Sequence, residues 1–422
     1  MPGAQLKKLL LVSYFFPPFG GAGVQRALKL SRAAPAMGWT VPAVVSAEPG
    51  PSEARDPTLL SEIPEDCQVL RPTVLRPGGL SRWVGPWMSP DPYLGWLSGA
   101  IAAARAAVIE HAPDAILSTS MPYTAHLVAR AIKRETGLPW VADLRDPWTD
   151  NRFLGWYDRR KLSGRFRHWS DGAMERSVYA EADLVTVTAA PLAELLRHRH
   201  GVAAAKVLLA RNGYDEEDFA GLLPMPQPRP PRDRQALRIL FAGSIYQGYT
   251  FEPFLAALEA LLEKQPAAPI RFDVVTSNPG LYQNFSANYP RAKAVTTLGG
   301  RVTHAEVIER YAQADLLVLS CLDDLSIPGK LFEYIRSGTA VLAFAVPGAE
   351  AWALLGDTGA GHCAPADDPA RGAEMLEQLL ALWQAGQPLA QPQPDAVQQL
   401  ERRVEYQKIF SRLDELVGQR LP

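Results

Sequence analysis

The run SIPGKLFEYIRSG, residues 326–338, places a lysine and a glutamate three residues apart, directly after an apolar segment. On a helix, this spacing puts the ammonium group of Lys330 and the carboxylate of Glu333 on one face, near the positive N-terminal end. Lys330 and free backbone N–H groups would bind a diphosphate, and Glu333 would accept hydrogen bonds from ribose hydroxyls. The pattern therefore predicts a sugar-nucleotide site. The alternative, a surface ion pair, is disfavoured by the preceding strand-like run, residues 315–320.

Two glycine-rich turns follow strand-like runs elsewhere in the chain. In FPPFGGAG, residues 16–23, the absence of side chains at Gly20 and Gly21 would let backbone amides approach a phosphate or a sugar. Its spacing is not the dinucleotide-binding pattern, and Glu48 is the only acidic residue near the end of the second strand, which disfavours a dehydrogenase. A tight turn without a ligand is the other alternative.

The second turn, FAGSIYQG at residues 241–248, predicts a backbone anion site that includes Gly243 and Ser244. Its polar side chains are neutral. Neutralisation of a phosphate would therefore depend mainly on Lys330, with help from Arg211 or Arg301.

Charged residues also end the strand-like run that begins at Pro139. The sequence VADLRDPWTD, residues 141–150, delivers Asp143, Arg145, Asp146 and Trp148 to one strand end. Because buried charges are costly unless they pair with each other or with a ligand, either acceptor binding with proton handling or an Asp–Arg pair that holds a loop would explain them. Upstream, STSMPYTAH places Ser120 at another strand end and His126 in the next helix, a weaker candidate for catalysis.

Composition restricts the remaining possibilities. The chain has 422 residues, 47% hydrophobic and 21% charged, with a formal net charge of −2. Such a chain would form two globular domains, and no overall positive field would recruit nucleic acid. Three scattered cysteines fit a reducing cytoplasm, and the apolar run after Lys8 is too short to cross a membrane. No Asp-x-Asp tripeptide is present, so we expect no metal and no other cofactor.

Strand-like runs alternate with helical patterns, which predicts α/β domains with parallel sheets. The first six predicted strands are Lys8–Phe15, Val41–Ser46, Asp114–Thr119, Pro139–Leu144, Asp183–Thr188 and Lys206–Ala210, and four more are Leu237–Ala242, Ile270–Thr276, Asp315–Ser320 and Ala340–Ala345. Pro35 should kink or end the helix that follows the first glycine turn.

We predict two Rossmann-like doubly wound domains that face each other across a cleft, where the carboxyl ends of the strands would hold the ligands. The N-terminal, acceptor-binding domain would span residues 1–212, a proline-rich linker 213–236, and the donor-binding domain 237–395. Residues 396–422 would form a C-terminal helix that packs on the N-terminal domain.

The run SIPGKLFEYIRSGTAVLAF, together with FPPFGGAG, VADLRDPWTDN, ARNGYD and FAGSIYQG, resembles bacterial glycosyltransferases of the GT-B fold, family 4 type. This resemblance covers nearly the whole chain. It implies a sugar-nucleotide donor held mainly by the C-terminal domain, no essential metal, and retention of anomeric configuration. Carried over by position, Gly20 and Gly21 would face the donor diphosphate or the acceptor, and Asp143 or Asp146 would lie near the acceptor hydroxyl. The family usually has an earlier glutamate at the position of Leu325.

The expected activity is sugar transfer to a polysaccharide or lipid-linked acceptor in the cytoplasm. A nucleotide-sugar epimerase of the same fold and a non-catalytic sugar-nucleotide-binding protein are the alternatives. Aromatic residues and six basic residues are interleaved after Trp148, a composition that fits contact with an anionic membrane surface as well as a solvated face. The basic residues are Arg152, Arg159, Arg160, Lys161, Arg165 and Arg167.

Overall fold

The computed structural model describes residues 6–51, 53–75, 90–152, 154, 160–221, 223–230, 235–243, 245, 251–300 and 302–420. The chain divides into two compact units. Unit 1 comprises Met1–Arg211 and Glu405–Pro422, and unit 2 comprises Asn212–Val404. Each unit is built on a parallel β-sheet, as the alternating pattern predicts. The predicted Ser244, Arg159 and Arg301 sites lie outside the described residues.

Unit 1 contains a seven-stranded parallel sheet with the strand order β3-β2-β1-β4-β5-β6-β7. The strands are β1 (Lys7–Val12), β2 (Trp39–Val45), β3 (Gln68–Leu70), β4 (Ala115–Thr119), β5 (Trp140–Leu144), β6 (Leu184–Val187) and β7 (Val207–Leu209). Six of them match predicted runs within a few residues. The prediction missed β3, a three-residue strand at the sheet edge that has no fully buried residue and therefore no apolar signature.

The helices of the first part of the chain connect these parallel strands. They are α1 (Ala22–Ala33), α2 (Leu97–His111), α3 (Thr124–Thr136), α4 (Leu162–Glu181) and α5 (Ala190–His198), with short 3₁₀ helices at Ala34–Met37, Pro57–Glu62, Leu94–Trp96 and Ala204–Lys206. As predicted, Pro35 ends the first helix early, because the chain continues beyond Ala33 as a 3₁₀ turn.

Unit 2 contains a six-stranded parallel sheet with the order β10-β9-β8-β11-β12-β13. The strands are β8 (Leu237–Ala242), β9 (Ile270–Val275), β10 (Thr296–Gly299), β11 (Leu316–Cys321), β12 (Ala340–Ala345) and β13 (Gly361–Pro365). The four inner strands were predicted, and the two edge strands were not. Both edges are partly exposed and lack the continuous apolar run that marks a strand covered on both faces.

Ten helices belong to the described part of the chain from Asn212 onwards. They are α6 (Glu216–Phe219), α7 (Glu252–Lys264), α8 (Pro279–Ser286), α9 (Pro290–Ala294), α10 (His304–Gln313), α11 (Lys330–Ser337), α12 (Ala351–Thr358), α13 (Pro369–Gln384), α14 (Pro394–Gln398) and, as the last, α15 (Arg402–Gly418), whose residues from Glu405 onwards belong to unit 1. The prediction of one continuous C-terminal helix differs from the structure. The break between α14 and α15 lies where Glu401 pairs with Tyr214 in an isolated β-bridge.

The described part of the predicted linker, 213–236, lies within unit 2 and packs against α11, which differs from the prediction of a separate connector. Arg336 donates hydrogen bonds to both oxygens of Glu216 and to the carbonyl of Pro224. Its guanidinium also lies 4.9 Å from the centre of the Phe219 ring. A buried arginine with this many acceptors fixes the segment to the helix that carries Lys330.

Candidate functional site

Lys330 is the first residue of α11 and lies at the carboxyl end of the sheet of unit 2. Its side chain occupies the space that a side chain on Gly243 would take, because a Cβ built on Gly243 would lie 1.3 Å from the Lys330 Nζ. The ammonium also lies 5.6 Å from the centre of the Phe241 ring. Gly243 is therefore needed to admit the lysine to the end of β8.

The Lys330 ammonium is buried, and burial lowers its pKa to about 8. Within the described part of the chain it donates no hydrogen bond and has no ion pair within 4 Å. A desolvated cation normally pairs with an anion. The arrangement is therefore suited to binding an anionic ligand.

Glu333 lies one turn further along α11 and is held by two side chains of α10. The hydroxyl of Tyr311 donates a hydrogen bond of 3.1 Å to Glu333 Oε2, and Nε2 of His304 lies 3.5 Å from Oε1. Burial acts to raise the pKa of Glu333, but His304, the positive charge of Arg402 and the Tyr311 hydroxyl together keep it below its ordinary value. Glu333 is thus an ionised hydrogen-bond acceptor beside Lys330.

Sequence reasoning missed His304 and Tyr311. Tyr311 has the spacing of a core residue in an amphipathic helix, and it is 1% exposed. His304 is the first residue of the same helix, and nothing in the sequence near it indicates a carboxylate neighbour. Only the packing of α10 beside α11 brings the two residues to Glu333.

Leu325, at the position where the family usually has a glutamate, lies in the loop between β11 and α11. Asp323 organises this loop, since its carboxylate accepts hydrogen bonds from the Leu325 backbone N–H and the Ser326 hydroxyl. Asp323 is 6% exposed. Its two contacts identify it as a residue that shapes the loop leading to Lys330.

In unit 1, the glycine turn opens helix α1. Gly21 is the N-cap residue with φ +93°, a conformation that favours glycine, and no side chain caps the helix. Gly20 donates its backbone N–H to the carbonyl of Ala54, and a Cβ at this position would lie 3.2 Å from the Arg55 carbonyl carbon. Both glycines are therefore required for local geometry, whether or not a ligand binds there.

Asp143 forms a closed buried network. Strand register places it between Thr119 and Thr186, and both hydroxyls donate to its carboxylate. Arg26 of α1 donates two further hydrogen bonds, of 2.7 and 2.8 Å. Burial acts to raise the pKa of Asp143, but the Arg26 guanidinium and the hydroxyls hold it below its ordinary value. With both oxygens engaged, the predicted proton-handling role finds no free acceptor atom at Asp143.

Arg145 and Asp146, the next charged residues of this strand end, are partly exposed. Nη1 of Arg145 donates a hydrogen bond of 2.9 Å to the carbonyl of Gly23, which places the guanidinium against the first turn of α1. Burial lowers the pKa of Arg145, and the nearby negative charges of Asp146 and Asp143 oppose this effect. Arg145 therefore combines with the uncapped end of α1 to give the positive region of unit 1.

Three other predicted residues are inside the core. His126 is fully buried, its Nδ1 lies 2.8 Å from the Ser118 hydroxyl, and burial lowers its pKa to about 4. Trp148 is also fully buried and stacks on Tyr123, with ring centres 4.6 Å apart. Ser120 is 1% exposed and donates to the Asp143 carbonyl. Direct contact of these side chains with a substrate, as predicted, would require them to be accessible.

Arg211, predicted to bind the donor, ends the first segment of unit 1 and so belongs to the other unit from Lys330. Its backbone is held at both ends. The N–H donates to Glu405 Oε2, and the carbonyl accepts a hydrogen bond from Arg26.

The basic residues after Trp148 lie on the surface of unit 1 where they are described. Arg152, Arg160, Lys161 and Arg165 are exposed, and Arg167 is partly exposed and lies 3.8 Å from Asp171. In the described residues, no helix combines the length and the apolar character needed to cross a bilayer.

Two family models match the chain in succession. The model described as glycosyl transferase 4-like domain matches residues 20–213, and the model described as glycosyl transferases group 1 matches residues 236–382. No curated protein matches the chain.

Solved structures share the fold over almost the whole length of the chain. Sucrose-phosphate synthase from Thermosynechococcus elongatus has 17% identity and a TM-score of 0.66, covering 98% of this chain and 100% of its own. HepE from Anabaena, in complex with UDP and glucose, has 14% identity and a TM-score of 0.65, with coverage of 97% and 100%. The lipopolysaccharide outer core galactosyltransferase WaaB has 12% identity and a TM-score of 0.60, with coverage of 98% and 100%. The two matched domains and the shared fold show that the chain belongs to the glycosyltransferases of the GT-B fold, family 4 type.

Proposed function

We propose that this glycosyltransferase moves a sugar from a nucleotide-diphosphate sugar to a polysaccharide or lipid-linked acceptor, without a metal and with retention of anomeric configuration. The observation that carries the proposal is the buried Lys330 ammonium, admitted to the end of β8 by Gly243. The similar HepE has been solved with UDP and with UDP-glucose, which supports this donor class.

Lys330 would act on the leaving group. When the bond between the anomeric carbon and the diphosphate oxygen breaks, negative charge develops on the diphosphate. A preorganised ammonium in a desolvated place stabilises that charge more strongly than an exposed one. With a pKa of about 8, the unliganded lysine is mostly protonated at neutral pH, and an anionic ligand raises its pKa further.

Glu333 would hold the nucleoside part of the donor. Its carboxylate is kept ionised by His304, Arg402 and Tyr311, and it accepts hydrogen bonds without needing to change protonation. Ribose hydroxyls are donors of the right kind. Tyr311 and His304 are then positioning residues for this contact.

The acceptor hydroxyl forms the new bond to the anomeric carbon and loses its proton. Of the predicted carboxylates, Asp146 is the one that supports proton acceptance, because it is partly exposed and Asp143 is fully engaged. Arg145 would orient an anionic acceptor at the first turn of α1. Asp143 and Arg26 position this strand end.

Cytoplasmic location, predicted from the three scattered cysteines, and contact with an anionic membrane, predicted from the basic residues after Trp148, belong to the same proposal. The basic residues would bring the enzyme to a lipid-linked acceptor.

Donor binding to the full chain provides the test. We expect calorimetric titration with a panel of nucleotide sugars to give one preferred donor, and Lys330→Ala to weaken it by about 1.5–3 kcal/mol, the typical contribution of a hydrogen bond to a charged group. Lys264→Ala, which removes an exposed lysine of the same unit, is the matched control. Unchanged affinity in Lys330→Ala would refute the donor site. Products formed from donor alone would instead indicate an epimerase.

A further inference from the structure

Helix α4 departs from the usual amphipathic arrangement at several positions. A surface helix normally buries its apolar residues and exposes its charges. In α4, Asp171 and Glu175 are 0% and 1% exposed, whereas Leu162, Phe166 and Trp169 are 82%, 43% and 64% exposed. The fold of unit 1 explains the buried acids but not the exposed apolar residues.

The buried acids have partners inside unit 1. Glu175 accepts hydrogen bonds from the hydroxyls of Thr149 and Tyr179, and burial raises its pKa. Arg167 lies 3.8 Å from Asp171. Arg167 and Tyr179 belong to α4 itself, whereas Thr149 lies outside the helix. The contact with Thr149 and the burial of Val178 and Tyr179 on the same helix hold this face against unit 1, so that the opposite face is towards solvent.

The three exposed apolar side chains form one continuous surface. They are spaced four and three residues apart, which places them on one side of a helix. The rings of Phe166 and Trp169 are in contact, with centres 5.7 Å apart. Nine large apolar side chains are exposed in the described part of the chain, and three of them lie on this helix, which makes it a concentrated patch.

Positive charge surrounds this patch. The exposed residues of α4 are Leu162, Arg165, Phe166, Trp169, Ala173, Arg176 and Ala180, and none of them is acidic. Arg160 and Lys161, just before the helix, are exposed as well. An apolar face with aromatic residues and basic neighbours is the combination found on helices that lie in a membrane interface.

We infer that the face formed by Leu162, Phe166 and Trp169 inserts into the interfacial layer of a bilayer that contains anionic lipid, with Arg165 and Arg176 contacting the lipid headgroups. A second copy of the chain is a poorer occupant. A two-fold symmetric contact would bring the same arginines of two copies together without an acidic residue between them.

This inference deepens the proposed function, on which it rests for its biological meaning: an enzyme held at the bilayer by α4 uses a lipid-linked acceptor rather than a free polysaccharide. Membrane binding is measured without any sugar donor. Its failure is therefore distinguishable from failure of the donor-site proposal, which is measured by nucleotide-sugar titration in the absence of lipid.

The experiment is co-sedimentation of the full chain with vesicles of phosphatidylcholine alone, or mixed in equal parts with phosphatidylglycerol. We expect binding to the mixed vesicles and at least about a tenfold lower partition coefficient for the double variant Phe166→Ser, Trp169→Ser. The matched control is Ile109→Ser, which removes an apolar residue that is 85% exposed on α2 of the same unit. It should bind as the wild type does.

Charge is tested separately. Since each basic residue near an anionic surface adds about 1 kcal/mol, Arg165→Gln with Arg176→Gln should lower partition onto the mixed vesicles by about 30-fold. Because all four substituted positions are exposed, the variants should keep the wild-type thermal unfolding temperature, and donor titration confirms that they are folded. The inference is overturned if the wild type does not bind the mixed vesicles, if the serine variant binds like Ile109→Ser, or if ultracentrifugation shows a dimer that Trp169→Ser dissociates.

Discussion

The two parallel sheets differ in how a desolvated charge at the carboxyl end is paired with other groups of the protein. In unit 1, Asp143 accepts four hydrogen bonds, two from Arg26 and one each from Thr119 and Thr186. In unit 2, the Lys330 ammonium is also desolvated, but within the described residues it has no hydrogen bond or close ion pair. The first charge is satisfied by the protein itself, whereas the second has no such partner among the residues that the structure describes.

This difference separates structural charges from those suited to a ligand. Both residues stand where ligands bind in open α/β sheets, so position alone does not distinguish them. The number of hydrogen-bond and ion-pair partners does distinguish them. A carboxylate with every oxygen engaged stabilises its surroundings, whereas a desolvated ammonium that lacks an anion lowers stability until an anion binds.

Loss of the Asp143 carboxylate should destabilise unit 1 strongly. Asp143→Ala leaves the Arg26 guanidinium buried without its counter-ion, and removing one partner of a buried pair costs about 3–5 kcal/mol. We expect a loss of this size in the free energy of unfolding, measured in urea. The double variant Arg26→Met, Asp143→Leu should recover part of it, because no uncompensated charge remains.

Asp146→Ala is the matched control for Asp143→Ala. Asp146 is a partly exposed carboxylate on the same strand end, and its loss should change the free energy of unfolding by less than about 1 kcal/mol. If Asp143→Ala proved as stable as Asp146→Ala but abolished transfer, Asp143 would have a catalytic role and the comparison would fail.

The inner strands could be predicted from the sequence because both of their faces are covered. β11 and β12 are buried at every position and read as unbroken apolar runs. The edge strands β3, β10 and β13 are partly exposed and show no such run. Strand order and register, which place Thr119 and Thr186 on either side of Asp143, depend on contacts between distant segments.

The candidate site was predictable only where its residues lie close together in sequence. Lys330 and Glu333 share one helix turn, so their spacing was informative. His304 and Tyr311 belong to a different helix and could not be linked to Glu333. His126 and Trp148 stand next to strand ends, as site residues often do, but the sequence did not show that packing buries both of them completely.

Gly243→Ala tests whether donor affinity depends on the position of the Lys330 side chain as well as on its charge. In Gly243→Ala, the new methyl group would lie 1.3 Å from the lysine Nζ and 2.5 Å from Cε, so the flexible side chain must move away. We expect the affinity for the donor to fall by about tenfold to 100-fold, the loss of one charge-assisted hydrogen bond. Because Gly243 has φ +157°, a conformation that residues with a side chain rarely adopt, the free energy of unfolding should also fall by about 1–3 kcal/mol.

Gly280→Ala is the control for Gly243→Ala, because a Cβ at Gly280 would have no atom within 4 Å. It should bind the donor like the wild type in the same calorimetric titration. Equal affinities of the two alanine variants would show that the contact between Lys330 and the end of β8 is irrelevant to the donor.

UDP affinity and the stability of the fold should depend on pH in opposite directions, each by a modest amount. The pKa of Lys330 is about 8 in the folded protein, below its ordinary value of 10.5. UDP affinity should therefore be constant below about pH 8 and should fall by up to about tenfold per pH unit above it. Stability should change in the other direction. Between the two pKa values the unfolded lysine binds a proton that the folded one lacks, so the free energy of unfolding rises with pH.

Lys330→Met isolates both slopes from those of other titrating groups. UDP titration and urea unfolding of the wild type and the variant, at matched pH values from about 7 to 10, give the contribution of Lys330 as the difference between the curves. Because the ammonium is desolvated and has no hydrogen bond or ion pair within 4 Å among the described residues, the same deprotonation that weakens ligand binding should stabilise the fold. Parallel stability curves for the two proteins would mean that the ammonium is already satisfied in the free enzyme, as Asp143 is in unit 1.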